Sequence, residues 1–410
     1  MTLPIRRNGQ FKRLVVATFS NELAQGMSFV AIPVIVLTHG ASATSAGIVV
    51  SLVTLAGIVS QVFSGALADH YSPSALLRAG SAVQSLAMFA LGVAMVTGFG
   101  SVPLIALLCV TAAVAASVSG PAEHSIINKI LPADDFAAAN ATIQAREATA
   151  GVMGGPVAGA ALAVGSAIVV VVQAVLHALA TGVAPGGVPA SREADSPEDP
   201  FLQRVLAGFR YVWRHLGLRV LVTIASLINL PFAMIPLLVI SYYAKSGMST
   251  LAIGIYSSAM AVGIVLGSTF ATRITDRYSI ARIGLVSLIV LVLSFFATAL
   301  AFQNIVATSL ISLAAGVCLP AFNACIGSYT MLATPDAMIG RVVAASGVPG
   351  MILMPLGAAL AGFLFDLIGP FNALVLAALF GLPPVLAALS STAFRTLPRL
   401  SEVVPADGEK

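Results

Sequence analysis

A glutamate stands inside an apolar run that opens at Leu14 and continues to Thr38. On a helix rising about 1.5 Å per residue, Glu22 lies about 12 Å in from Leu14, near the middle of a hydrocarbon layer ~30 Å thick. A carboxylate at that depth is costly unless it faces a polar cavity or carries a proton. Two chemistries are then open to Glu22: uptake and release of a proton, and pairing with a cationic ligand. The alternative is a neutral carboxyl bonded within a helix bundle and without further role. Asn21 and Gln25 flank it and could share its cavity. Gln84, Gln173, Asn229 and Asn323 also fall inside apolar runs. Residues of this kind line a cavity or hydrogen-bond neighbouring helices, and Gln84, Asn229 and Asn323 join Asn21 and Gln25 as cavity candidates. His177 reads as a neutral packing histidine. Glu123, His124, Lys129, Arg146 and Glu147 are expected to form an interfacial ion-pair network at the inner ends of two adjacent spans.

Other chemistries find no support. Cys109, Cys318 and Cys325 lie in apolar runs, are odd in number and lack His or Asp neighbours at ligand spacing, so no metal or disulfide framework is expected. No catalytic residues are indicated: paired acids or histidines at catalytic spacing are missing from the spans, as is a phosphate-binding Gly-rich loop ending in Lys-Ser or Lys-Thr. An enzyme and a bound cofactor are therefore not expected.

The elements that position these residues follow from composition. Hydrophobic residues make up 58% of the 410 and charged residues 9%, against roughly 25% charged in a soluble domain. So much apolar surface calls for lipid as the solvent, and spans in lipid must be helices because an open sheet edge would leave backbone groups unpaired. Twelve windows are long and apolar enough: 14–38, 44–68, 75–98, 102–127, 142–163, 166–184, 219–242, 251–272, 283–302, 305–328, 342–364 and 371–393. The first is too long for the apolar core of a signal peptide. The break between the fifth and sixth rests on Gly165 and Ser166. With the N-terminus inside, every one of the 20 Lys and Arg except Lys245 falls on the inner side. This division supports the count and places both termini in the cytoplasm. The bases are scattered at span ends rather than clustered on one face, which argues against nucleic acid.

These spans read as an all-α membrane protein with twelve transmembrane helices in two pseudo-symmetric six-helix bundles. The expected domains are an N-terminal bundle over 1–184, a cytoplasmic linker over 185–218, a C-terminal bundle over 219–400 and a cytoplasmic tail over 401–410. The linker opens with Pro185, Gly186, Gly187 and Pro189 and runs acidic through Glu193, Asp195, Glu198 and Asp199. It then turns basic and amphipathic, with Phe201, Leu202, Val205, Leu206, Phe209 and Val212 at helical spacing among Arg204, Arg210 and Arg214. Such a helix, with Trp213, is expected to lie on the inner membrane surface. The halves repeat one another. Gly47, Ile48 and Ser51 match Gly254, Ile255 and Ser258; Asp69, Tyr71 and Ser72 match Asp276, Tyr278 and Ser279, all at one offset.

The loop after the second span, Gly65-Ala-Leu-Ala-Asp69-His-Tyr71-Ser72 with Arg78 beyond, resembles the signature loop of the major facilitator superfamily. Its second copy is Asp276-Arg277-Tyr278-Ser279 with Arg282. The resemblance implies that Gly65, Asp69, Arg78, Asp276, Arg277 and Arg282 act as a conformational latch between alternating states. Gly151, Gly155, Pro156 and Gly159 look like the Gly- and Pro-containing helix motif of exporters in that superfamily, with Ala160 in place of the last Gly. Phrases such as Gly208–His215 and Gly340-Arg341 are similar to the macrolide-efflux and siderophore-exporter branch. Many superfamily members carry an Arg within span four; here none occurs between Arg78 and Arg146, a departure that weakens antiport. The resemblance implies the major facilitator fold and a monomeric multi-pass protein of the cell (inner) membrane. It implies export of a small amphipathic substrate, such as an antibiotic, drug or siderophore, coupled to protons. An uptake carrier or a transport-inactive sensor of the same fold are the alternatives.

Overall fold

The structure, a computed structural model, describes residues 8–188 and 201–403. Arg6, Arg7, Arg192, Lys410 and the acidic stretch from Glu193 to Asp199 lie outside the described residues, as do the side-chain surroundings of Gly65, Asp69 and Arg204.

The described chain is helical throughout its spans. α1 (Gly9–Thr38), α2 (Ala43–His70) and α3 (Pro73–Val96) are followed by α4 (Val102–Ala116) and α5 (Ser119–Ile130). Next come α6 (Phe136–Val164), α7 (Ser166–Val183), α8 (Phe201–Arg214), α9 (Leu216–Lys245) and α10 (Thr250–Arg277). The chain closes with α11 (Ile280–Ala301), α12 (Ile305–Leu332), α13 (Ile339–Leu379), α14 (Leu382–Ser390) and the short α15 (Thr392–Arg395). Among the described residues, eleven helical stretches are long and apolar enough to cross a membrane. The last of them, Ile339–Ser390, holds two spans. Gly369 inside it adopts a left-handed φ of 81° and Pro370 follows. A left-handed glycine ends one helix and a proline suits the first position of the next. Twelve spans result.

Local chemistry sets several ends. Asn8 caps α1 by accepting from the backbone N–H groups of Gln10 and Phe11, and its own amide donates to the Ile130 carbonyl at 3.1 Å. Ser72 caps α3 and Ser279 caps α11, each through its hydroxyl, so the serine of the repeated Asp-x-Tyr-Ser does the same work in both copies. The fourth span contains a break that hydropathy does not register. Pro121 has no N–H and its ring collides with the carbonyl four residues back, that of Ser117. The helix accordingly ends at Ala116 and restarts at Ser119. The fifth span begins at Phe136 rather than near 142, because its first two turns are helical although poor in large apolar residues.

By contacts the chain divides into two units. Residues 1–195 with 240–258 form one, and 196–239 with 259–410 form the other. In the first unit a core of Phe11, Leu14, Leu77, Ile126, Ile127 and Ile143 fills the space beside the end of α5 and the start of α6. Small residues bring helices together. Gly154 of α6 lies against the backbone of Gly26 in α1. Gly155 and Gly159 lie against residues 250–258 of the same unit, where a side chain at either glycine would overlap the carbonyls of Gly254 and Thr250. Thr250 Oγ1 donates to the Gly159 carbonyl at 2.8 Å. Gly151, one turn before Gly155, is exposed. In the second unit Gly357 makes a comparable approach to the Leu230 carbonyl.

Candidate functional site

α1 carries Thr18, Asn21, Glu22 and Gln25 at three- and four-residue spacing, which places them on one face of the helix. That face borders a cavity of about 500 Å³ in the first unit. α2 contributes Gln61 and Ser64, and the broken fourth span contributes Ser117, Ser119, Glu123 and His124. The Pro121 break therefore shapes the wall that presents Glu123.

The cavity is organised by Arg146 of α6. Its side chain is only 3% exposed. Nη2 donates to Glu22 Oε1 at 2.6 Å, and Nη1 to Glu123 Oε1 at 2.5 Å; Nη1 also meets the Thr18 hydroxyl. Glu147 stands 3.8 Å away on the exposed side. One guanidinium thus bridges carboxylates of α1 and α5 with its two arms, a geometry that a planar fork makes and an ammonium does not. Three carboxylates share one cation, so the cluster is short of positive charge. Glu22 Oε2 is buried and has no hydrogen-bond partner among the described residues. An orphaned carboxylate oxygen of this kind invites a proton or a cation.

The network bears out ion pairs of Arg146 with Glu123 and Glu147, and it joins to them Glu22 of α1, which the sequence reading kept apart from this cluster. The arginine missing from span four is supplied to the same neighbourhood from span five. Sequence reasoning missed this because Gln144, Arg146 and Glu147 look like the polar margin of a span. The available signal was the helix extending back to Phe136, which buries position 146.

The other candidates separate. Asn21 borders the cavity, yet its amide is engaged behind it. Nδ2 donates to Ser81 Oγ at 2.8 Å, and Oδ1 pairs with His177 Nδ1 at 2.8 Å. His177 is thus a bonded packing residue. Gln25 borders the cavity. Gln84 does not: it is buried and donates to the Gly80 carbonyl of its own helix at 3.2 Å. Gln173 ties α7 to α1 through the Ala24 carbonyl and Ser28. In the second unit Asn229 packs beside Gly350, and Asn323 is exposed.

Of the latch residues, Arg78 donates from Nη2 and Nε to the carbonyl of Ala184, at 2.7 and 3.3 Å. A cation at the last carbonyl of α7 also meets the negative end of its dipole. Arg13 does the same at Val183. Asp276 and Arg277 are exposed, and the Arg282 guanidinium lies 4.8 Å from the centre of the Tyr278 ring.

Residues 14–348 match the family model of the Major Facilitator Superfamily. The chain belongs to this superfamily. It is a multi-pass membrane transporter by family and fold, as the motif at Asp69 led one to expect. Solved structures of the superfamily fold superpose over nearly the whole chain. A point mutant of the nucleoside transporter NupG matches with a TM-score of 0.77 at 15% identity, covering 93% of this chain and 99% of its own. An inward-facing bacterial homologue of the human lysosomal transporter Spinster matches at 0.76 and 16%, covering 97% and 98%. A bacterial homologue of the iron transporter ferroportin matches at 0.67 and 13%, covering 93% and 100%. No curated protein matches the chain in sequence. Identities this low establish the fold and leave substrate to the residues of the site.

Proposed function

We propose that the chain is a proton-coupled exporter of small amphipathic molecules that carry a positive charge. The observation that carries this reading is the Glu22–Arg146–Glu123 bridge at the wall of a polar cavity. Both candidate loads, a proton and a cationic group, compete with Arg146 for the same carboxylates. Protonation of Glu22 weakens its hold on Arg146 and leaves the guanidinium to Glu123. Loss of the proton restores the bridge, and an incoming cation takes the place that the proton held. Coupling then needs no further ionisable group. The Gly155–Gly159 seam permits close, adjustable helix contact, in keeping with the antiporter-like motif. Two bundles, over 1–184 and 219–400, would alternate access with both termini in the cytoplasm of a cell-membrane protein, and the loops at Asp69 and Asp276 would act as latches.

The test is transport into inside-out membrane vesicles acidified within. Wild type should load a cationic amphipathic drug, and Glu22→Gln should abolish the dependence on the pH gradient. Gradient-driven loading by Glu22→Gln at the wild-type rate would refute the reading.

A further inference from the structure

α8 has two faces with different fates. Along one, Gly208 lies against the backbone of Arg341, Val212 is 2% exposed, and the Tyr211 hydroxyl donates to the Ala333 carbonyl at 2.9 Å. These contacts fix α8 on α13 and on the end of α12, all within the second unit. Along the other face Leu206, Phe209 and Trp213 stand exposed, and the stripe runs on to Leu216, the first residue of the α9 span. The Phe209 and Trp213 rings stack with centroids 5.5 Å apart, and the Arg219 guanidinium lies 6.0 Å from the Trp213 ring. Arg210 and Arg214 are exposed on the same helix.

We propose that this outward face of α8 is a docking site for anionic phospholipid headgroups. Only His215 separates α8 from α9, so α8 leaves the bilayer at its boundary and cannot project far into water. Its free stripe continues a surface that lipid already covers. Aromatic rings with apolar neighbours suit the acyl–headgroup boundary, and arginines beside them suit phosphate. The inner side, where bases concentrate, would be the side engaged.

Trp213 is the only tryptophan of the chain, so its emission reports on this face alone. The full-length protein is placed in nanodiscs of phosphatidylcholine with increasing phosphatidylglycerol, with and without lipids brominated near the headgroup. Docking predicts quenching of Trp213 by the shallow bromines that grows with the phosphatidylglycerol fraction. In the double variant Arg210→Gln/Arg214→Gln the fraction needed for half-maximal quenching should rise by roughly fivefold or more, up to loss of half-maximal quenching even in pure phosphatidylglycerol. Both substitutions are exposed and leave the buried face intact. Three results would overturn the proposal: emission indifferent to the brominated lipid, as for a face left to water or a protein partner; equal quenching at every phosphatidylglycerol fraction; and an unchanged response in the double variant.

Discussion

Replacing Arg146 by methionine removes the cation at the centre of the cavity network while keeping most of the side-chain volume. Its two nearest partners stay behind: Glu123, with a side chain 11% exposed, and Glu22, 28% exposed. An exposed ion pair is worth about 0–1 kcal/mol. Removing one member of a buried, hydrogen-bonded set costs about 3–5 kcal/mol, because the remaining charges keep their desolvation without compensation. Arg146 is 3% exposed and bonds at 2.5 and 2.6 Å, so the larger range applies. Unfolding free energies in bicelles, measured by steric trapping, should fall by about 3–5 kcal/mol for Arg146→Met. Arg146→Lys should fall between wild type and Arg146→Met, since one ammonium cannot fork to both carboxylates. The triple variant Glu22→Gln/Glu123→Gln/Arg146→Met leaves no charge to strand and should recover most of the loss. A loss below about 1 kcal/mol, the surface range, would refute the buried-bridge argument. So would a triple variant no more stable than Arg146→Met.

Three further outcomes are expected. Gly155→Ala should destabilise by about 1–3 kcal/mol, because its methyl overlaps the Gly254 carbonyl, whereas Gly151→Ala on the exposed side should stay within about 0.5 kcal/mol; equal effects in a thermal-unfolding assay would discard the seam. Pro121→Ala should join α4 and α5 into one helix and slow amide exchange over residues 117–122. His215 lies just outside α9, and burial beside Tyr211 and Tyr329 lowers its pKa below the ordinary 6.5; its Nδ1 also accepts from the Leu218 N–H, which needs the neutral ring. The unfolded chain therefore protonates first as pH falls, so His215 leaves stability intact above 6.5 and subtracts from it below. His215→Gln should shallow that acid-side decline in a pH series of melting curves.

Most of the fold was legible because lipid imposes simple rules. Length and hydropathy mark spans, so the break at Gly165 and the two spans either side of Gly369 are recoverable from composition and turn chemistry. The repeated serine at 72 and 279 was visible as a pattern, and its physical role as a helix cap emerged with the backbone. The candidate site was legible only in part. Glu22 stood out because a charge in an apolar run needs a reason. Its partner did not, because Arg146 sits among other polar residues far away in the chain and only packing brings it to α1. Gln84 and Asn21 show the same gap from the other side: both are polar within spans, yet their bonds run to Gly80, Ser81 and His177. No periodicity distinguishes a polar side chain turned to a cavity from one turned to a neighbouring helix.

The bonds of α1 carry one more consequence. Arg13 grips α7 at Val183, Asn21 grips both Ser81 of α3 and His177 of α7, and Gln173 reaches back to Ala24 and Ser28. Five polar bonds, spread from position 13 to position 28 of one helix, pin its rotation as well as its position. α1, α3 and α7 must therefore travel as a single rigid strut during any working stroke. A pair of spin labels on the lipid-facing sides of α1 and α7 would keep its separation from the first step of the cycle to the last.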